Sequence, residues 1–341
     1  MRVPGASTYS LANSLRTTLL NTQAKLEQAQ VEAVTGQASD PAEKLGATVH
    51  RYRYLMRQSE RLDGISTANA LTETRLKVSQ ATLGSFASTT QNLSAEAYIE
   101  GIGAVTSSGM KGYLNQLTAL ANTSENGVHI FAGINTDVTP IPEYETSQLA
   151  ADVEAAFVAR FGFGTTDPAA STVSAADMTD FLENDALPLF TGPGFSGLSQ
   201  ATDQAISSRI LPNELAPTSV GTNEKAFRLA FAAAGLGATF LALNIDEGVG
   251  DAVRAFVHRT AADASSETAL LQGKVGLMEE RLTNAQDRLS QQSSLMREFA
   301  NEMVAVDPYE AATKLTDLIQ QLETSYTLTG RVQSLSLLKY I

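Results

Sequence analysis

Gly192, Pro193, Gly194, Phe195, Ser196 and Gly197 reproduce, letter for letter, the glycine spacing with which a strand-to-helix turn offers backbone NH groups to a dinucleotide pyrophosphate. The chemistry needs a strand leading in and a helix opening on the turn. Pro188 and Pro193 crowd that approach and no helical apolar pattern follows directly, so a surface loop is the competing reading. An enzyme with a nucleotide site in this region is the minor functional alternative. Other reactive groups are sparse: His50, His129 and His258 stand at no metal-ligand spacing, there is no cysteine to join them, and no serine sits in a Gly-x-Ser-x-Gly elbow. No catalytic residue, cofactor or metal is expected. Asn92 and Asn122 open Asn-x-Ser triplets on predicted helical surface or its end, where chance accounts for the pattern. Arg51, Arg53, Arg57 and Arg61, interleaved with Tyr52 and Tyr54, form either a solvated helix face or an ion-pairing surface towards a neighbouring acidic subunit.

The composition points the same way. A net charge of −13 over 341 residues argues against nucleic acid or an anionic membrane as a partner. Aromatics make up 6% of the chain against 43% hydrophobic residues, the balance of a helical core built from small and aliphatic side chains. No window is apolar enough to cross a bilayer, and Met1 to Ser10 lacks the apolar run of a cleavable signal. The nearest approach, Ala226 to Leu243, is interrupted by Arg228, Gly235 and Gly237 and reads as a buried helix pair.

The elements that must carry any function are long helices. Seven of the ten prolines fall between Pro140 and Pro217, leaving residues 42–139 and 218–307 without one. In the first arm Leu55, Leu62, Asn69, Leu76 and Leu83 recur every seven residues, with Ile65, Thr72, Ser79, Phe86 and Leu93 between them. In the second, Val275, Met278, Leu282, Ala285, Leu289, Gln292, Met296, Phe299 and Met303 make the matching seam. Outside these arms lie two terminal helices, each set off by an Asp-Pro break whose aspartate caps, whose proline opens and whose glutamate completes a first turn: Asp40, Pro41 and Glu43, and Asp307, Pro308 and Glu310. One terminal helix carries Leu11, Leu15, Leu19 and Leu26 on its stripe; the other carries Leu315, Leu318, Leu322, Leu328, Val332, Leu335 and Leu338. These leucines and valine are the candidate assembly interface, because two isolated helices make only a marginal unit. Val128–Phe131 followed by Gly133–Val138 reads as a strand, turn and return. Between Glu143 and Glu224 stand twelve acids and two bases, which suggests a separate, solvent-facing insert of short α/β elements. The fold expected is mainly α: a long antiparallel helical bundle or coiled coil formed by the two arms, with a short β-hairpin and a small inserted α/β outer domain. Its parts would be 1–40 with 307–341 as a terminal coiled coil, 41–140 with 249–306 as the long-helix bundle, and 141–248 as the insert.

The segment from Asp307 to Ile341 closely resembles the C-terminal signature of the flagellin superfamily. Leu335, Ser336, Leu337, Leu338, Lys339 and Tyr340 stand where ordinary flagellins end in an AANxxL-like pattern, which makes the end similar to the hook-associated protein 3 group of the hook-filament junction. Leu120 to Thr123, Gly127, Ile130 to Gly133 and Thr136 are similar to the family's helix-to-hairpin motif, and Val34 to Ala42 to its N-terminal Thr-Gly and Asp-Pro-Ala turn. That turn is shorter here and lacks the usual basic residue and second aspartate. The resemblance implies a non-catalytic structural subunit whose terminal helices pair along the inner tube of a helical or ring assembly, with the insert outside. The partners it implies are other copies of the chain, a hook-side junction protein, flagellin and an export chaperone on the C-terminal region. The implied location is the extracellular flagellum, reached through the flagellar type III channel without a cleaved signal. A flagellin-like filament subunit is the alternative within the same class.

Overall fold

Long proline-free stretches with a buried residue every third or fourth position become the two longest helices, α3 (Val49–Ala97) and α9 (Glu247–Val304). The structure, a computed structural model, describes residues 8–99, 106–242 and 247–337, and side chains between 13 and 331. The remaining elements are α1 (Thr8–Thr35), α2 (Pro41–Leu45), α4 (Ser107–Ala121), β1 (Ser124–Glu125), β2 (Val128–His129), α5 (Gln148–Phe161), α6 (Ala175–Phe181), α7 (Leu187–Thr191), β3 (Ser207–Leu211), β4 (Glu214–Pro217), α8 (Lys225–Phe240) and α10 (Pro308–Leu337). The protein is mainly α as expected, with two small antiparallel hairpins as the β structure of the described residues. Its contacts divide it into two units, residues 1–63 with 290–341 and residues 64–289.

In the unit of residues 64–289, α3 and α9 run antiparallel: a Cβ at Gly84 would face the Gln272 amide, and farther along α3 Ser94 Oγ meets His258 Nδ1 at 3.0 Å. The seam positions Asn69, Leu76, Leu83, Thr72, Ser79, Phe86 and Leu93 are all buried. Asn69, the amide in this seam, donates from its side chain to the Ile210 carbonyl at 3.0 Å and so holds a second hairpin, β3–β4, which no pattern in the sequence announced. Arg281 reaches Glu214 on the same hairpin at 2.7 Å.

The segment from Ile141 to Phe240 does not stand apart from this bundle. Ile141, Phe157, Phe181, Phe195 and Phe231 share one hydrophobic core with Leu83 and Phe86 of α3 and Val253 and Val257 of α9. Its acids are spent partly on ties to α9, Glu183 to Arg259 at 2.5 Å and Glu224 to Lys274 at 2.7 Å. The stretch read as a helix pair is one continuous helix, α8, buried along nearly its whole length. Its glycines do not break it, because they are where neighbours come closest: a Cβ at Gly235 would lie 3.1 Å from the Tyr144 ring, and one at Gly237 3.0 Å from Met110 Sδ. Just before α8, Asn223 donates to Ala201 O and Asp203, at 3.0 and 2.8 Å.

The first hairpin lies earlier than expected. Ser124 pairs with His129 and Glu125 with Val128 across Asn126 and Gly127, whose φ angles of 52° and 80° are those of a two-residue type I′ turn. The Asn-Gly pair closes the turn before the apolar run, not after it. The later return contributes the bond from His129 N to Thr136 O, 2.9 Å. Asn122, set aside as a chance triplet, ends α4 and clamps the next segment, donating to Ile141 O at 2.7 Å and accepting from Ile141 N at 2.9 Å.

In the unit of residues 1–63 with 290–341, Ser59 Oγ and Ser293 Oγ approach to 2.9 Å, Ser293 also donates to Asp63 at 2.8 Å, and Arg297 ion-pairs with Asp63. So close an approach needs small side chains. The α9 stripe therefore departs here from the expected one: Ser293, Ala300 and Val304 are buried, while Gln292 and Phe299 face outward.

Candidate functional site

The terminal helices are positioned by their Asp-Pro breaks. Asp40 Oδ1 accepts from Ala42 N at 2.7 Å and Glu43 N at 3.3 Å; Asp307 Oδ1 accepts from Tyr309 N at 2.7 Å and Glu310 N at 3.3 Å. Pro41 and Pro308 are the first residues of α2 and α10, where a missing NH costs nothing. The two caps have the same geometry because they solve the same problem, restarting a helix whose first NH groups have no partner. Replacing either aspartate by alanine is expected to cost about 1 kcal/mol, read as a fall in the urea midpoint, and serine at the same position should recover most of it.

What the sequence did not reveal is that the breaks are stitched to each other. Gly36, at φ 67°, ends α1 and turns the chain so that Gln37 bridges Ala305. Ala38 N then donates to Val304 O at 2.8 Å, Val306 N to Gly36 O at 2.9 Å, and the Lys44 ammonium to the Ala305 carbonyl. Only the matching Asp-Pro-x-Glu pattern of the two breaks hinted at this.

From that junction α1 and α10 pack along each other. Thr22, Ala29, Ala311 and Leu318 are buried, and Leu15, Leu19, Leu26, Leu315 and Leu322 are half-buried on the facing stripes. The contact is therefore made largely within one chain. Leu328 is 48% exposed: the stripe of α10 continues through Ser325 and Thr329 instead, since a step of three and then one of four from Leu322 reach them and not Leu328. The side chains of Leu11, Val332 and Leu335, and the whole of Leu338, lie outside the described residues. A second set of apolar side chains, Leu20, Val31 and Val34 on α1 and Ile319 on α10, stays exposed with Leu328, Val34 at 86%.

Two polar contacts fasten the pair, Gln23 Nε2 to Tyr326 Oη at 2.9 Å and Lys314 Nζ to Glu32 at 3.0 Å. The Lys314 bond, with help from the backbone and side chain of Ser39, holds the Glu32 carboxyl below its ordinary value. A carboxylate with a lowered folded pKa contributes stability that is present above its unfolded pKa, about 4.5, and is lost as pH falls through the folded value. The α1/α10 pair should accordingly loosen on acidification below pH ~4.5, and Glu32→Gln should flatten that part of the profile, measured by helix CD against pH.

The glycine-rich turn has no phosphate-binding geometry. It follows helix α7 and not a strand, and its glycines are there for close packing: a Cβ at Gly192 would fall 2.7 Å from Pro188 O, and one at Gly194 2.7 Å from Leu189 O. Gly192 N is spent on Pro188 O at 2.8 Å, Phe195 is buried, and Arg228 lies over its ring and donates to Gly192 O at 2.8 Å. His129 and His258 are taken up by Asn122 O and Ser94, each at 3.0 Å. Among the described residues no cluster of His, Asp and Glu could hold a metal ion, and no helix is long and apolar enough to cross a membrane.

The paired terminal helices, the double Asp-Pro junction and the antiparallel long helices are matched by two family models. Residues 6–136 match the bacterial flagellin N-terminal helical region and residues 259–341 the bacterial flagellin C-terminal helical region, together well over half of the chain. The chain belongs to the flagellin superfamily. A comparison with curated proteins finds no match. The unmatched stretch, 137–258, contains α5 to α8 and the β3–β4 hairpin. Members of the flagellin superfamily are structural, non-enzymatic proteins that self-assemble into the extracellular bacterial flagellum, and this chain is a structural flagellar subunit of that superfamily.

Proposed function

We propose that this flagellin-superfamily subunit is an adaptor at the hook-filament junction, seated between a hook-side junction protein and flagellin. The observation that carries the reading is a sequence one: Leu335, Ser336, Leu337, Leu338, Lys339 and Tyr340 depart from the AANxxL-like pattern of filament flagellins. Residues 1–40 and 307–341 act as the inner assembling element. Leu15, Leu19, Leu26, Leu315, Leu318 and Leu322 close the pair, and the exposed Leu20, Val31, Val34, Ile319 and Leu328 are left for other copies. Export through the flagellar type III channel without a cleaved signal, with a chaperone on the C-terminal region, is part of the same reading.

The test is a strain lacking this protein. An intact hook with flagellin shed unassembled into the medium is the expected result, and normal filaments would overturn the adaptor role. A second reading, a filament subunit, is supported by the two family models themselves, which describe flagellin's own helical regions. It predicts hooks carrying no filament and no flagellin-sized product in the medium.

A further inference from the structure

We infer that an arginine row on α3 of one copy docks into the acidic cleft at the Asp-Pro junction of a second copy of this chain. Arg53, Arg57 and Arg61 are four residues apart, so they share one helix face; all three are exposed, as are His50 and Tyr54 beside them. None of the three makes an ion pair among the described residues, in a chain with 37 acids against 24 bases. Like charges at this spacing repel, and with Glu60 the one carboxylate between Arg53 and Arg61 the row keeps an excess of positive charge for a counter-charge from outside.

That counter-charge is present in the same unit. The junction of the two breaks forms a cleft of about 470 Å³ lined by Glu32, Asp40, Glu43, Asp307 and Glu310. Its two cations, Lys44 and Lys314, are already engaged, by the Ala305 carbonyl and by Glu32. Glu43 and Glu310 are exposed and have no ion pair among the described residues. A basic face and an acidic cleft at different places on one chain are complementary between copies but not each to itself. Such a contact is head-to-tail, and head-to-tail contacts build rings or open helical arrays, not closed dimers. Arginine suits the contact because its planar guanidinium binds carboxylates through paired hydrogen bonds.

This inference rests on the assembling-subunit reading and adds the partner surface to it. The test uses the full-length chain in sedimentation velocity at low and high salt, with far-UV CD as the check on folding. Arg57→Glu with Arg61→Glu, and separately Glu43→Arg with Glu310→Arg, should each weaken self-association about tenfold or more. An equimolar mixture of the two variants should restore it, because each then meets the opposite charge on the other. Should the second variant lose helix content, Glu43→Gln with Glu310→Gln must weaken association in the same direction. Wild-type association by the arginine variant, or no recovery in the mixture, overturns the contact while leaving the subunit reading intact; a row that serves a different protein would give that result. Failure of the wild-type chain to associate even at low salt overturns both.

Discussion

Leu318→Asp is expected to abolish incorporation into a flagellar assembly while the unit of residues 64–289 stays folded. Leu318 is 9% exposed, the most buried leucine on the described part of α10, and sits between the half-buried Leu315 and Leu322 on the face turned to α1. Two helices alone are marginal, since most helical stability comes from packing an apolar face and this face packs on α1. Losing the buried leucine and placing a carboxylate there should cost about 3 kcal/mol, a hundredfold or more in the paired population. The core of residues 64–289 contains no residue of α10, so its melting should be unchanged. The measurement is a complementation assay scored by motility and by protein recovered in sheared flagella, alongside thermal CD. Incorporation at the normal level would show that the α1/α10 pair is not needed for assembly. Leu328→Asp separates pairing from assembly: the residue is already 48% exposed, so the pair should form normally, while incorporation should fall because this side chain is left for other copies; unchanged incorporation would remove Leu328 from that surface.

Phe157→Ala should produce the largest loss of stability, about 3–5 kcal/mol. Phe157 is fully buried, with ring centroids 4.7 Å from Phe161, 6.1 Å from Phe163, and 5.5 Å from both Phe181 and Phe240, so its removal leaves a cavity lined by rings that no single neighbour can fill. A second readout comes from Tyr144 in the same core. Burial pushes its phenol up to about 12. A phenol with a raised folded pKa contributes stability that is complete below the unfolded pKa, about 10, and is lost as pH rises through 12. In the wild-type protein Tyr144 should stay un-ionised at pH 11; in Phe157→Ala, if the core opens, one additional tyrosine should titrate near 10 by absorbance. A variant with unchanged melting and an unchanged tyrosine titration would mean that this core repacks without Phe157.

The reach of the sequence can be judged on particular residues. The heptad positions Leu62, Asn69, Leu76 and Leu83 are all buried, because a seven-residue repeat specifies a helix face wherever the helix lies. Asp40-Pro41 and Asp307-Pro308 were equally legible, since a cap is made by atoms two and three residues away. Gln292 and Phe299 were misplaced because the seam tightens at Ser59 and Ser293, which no residue within one helix signals. The second hairpin escaped notice because Ser207–Leu211 carries little apolar alternation and is held from outside, by Asn69 and Arg281.

Local chemistry in the sequence alone thus determined the long helices, their breaks, the mainly α class and the resemblance to the flagellin superfamily, because periodicity, capping and proline placement act over a few residues. Only the tertiary structure decided which positions of α1 and α10 face each other, that the two breaks share backbone hydrogen bonds, that residues 141–240 enter the core of the long helices, and that Gly192 and Gly194 serve packing and not a phosphate. Each of those depends on which distant surface a stripe, a carbonyl or a missing side chain meets, and that is set by the whole fold.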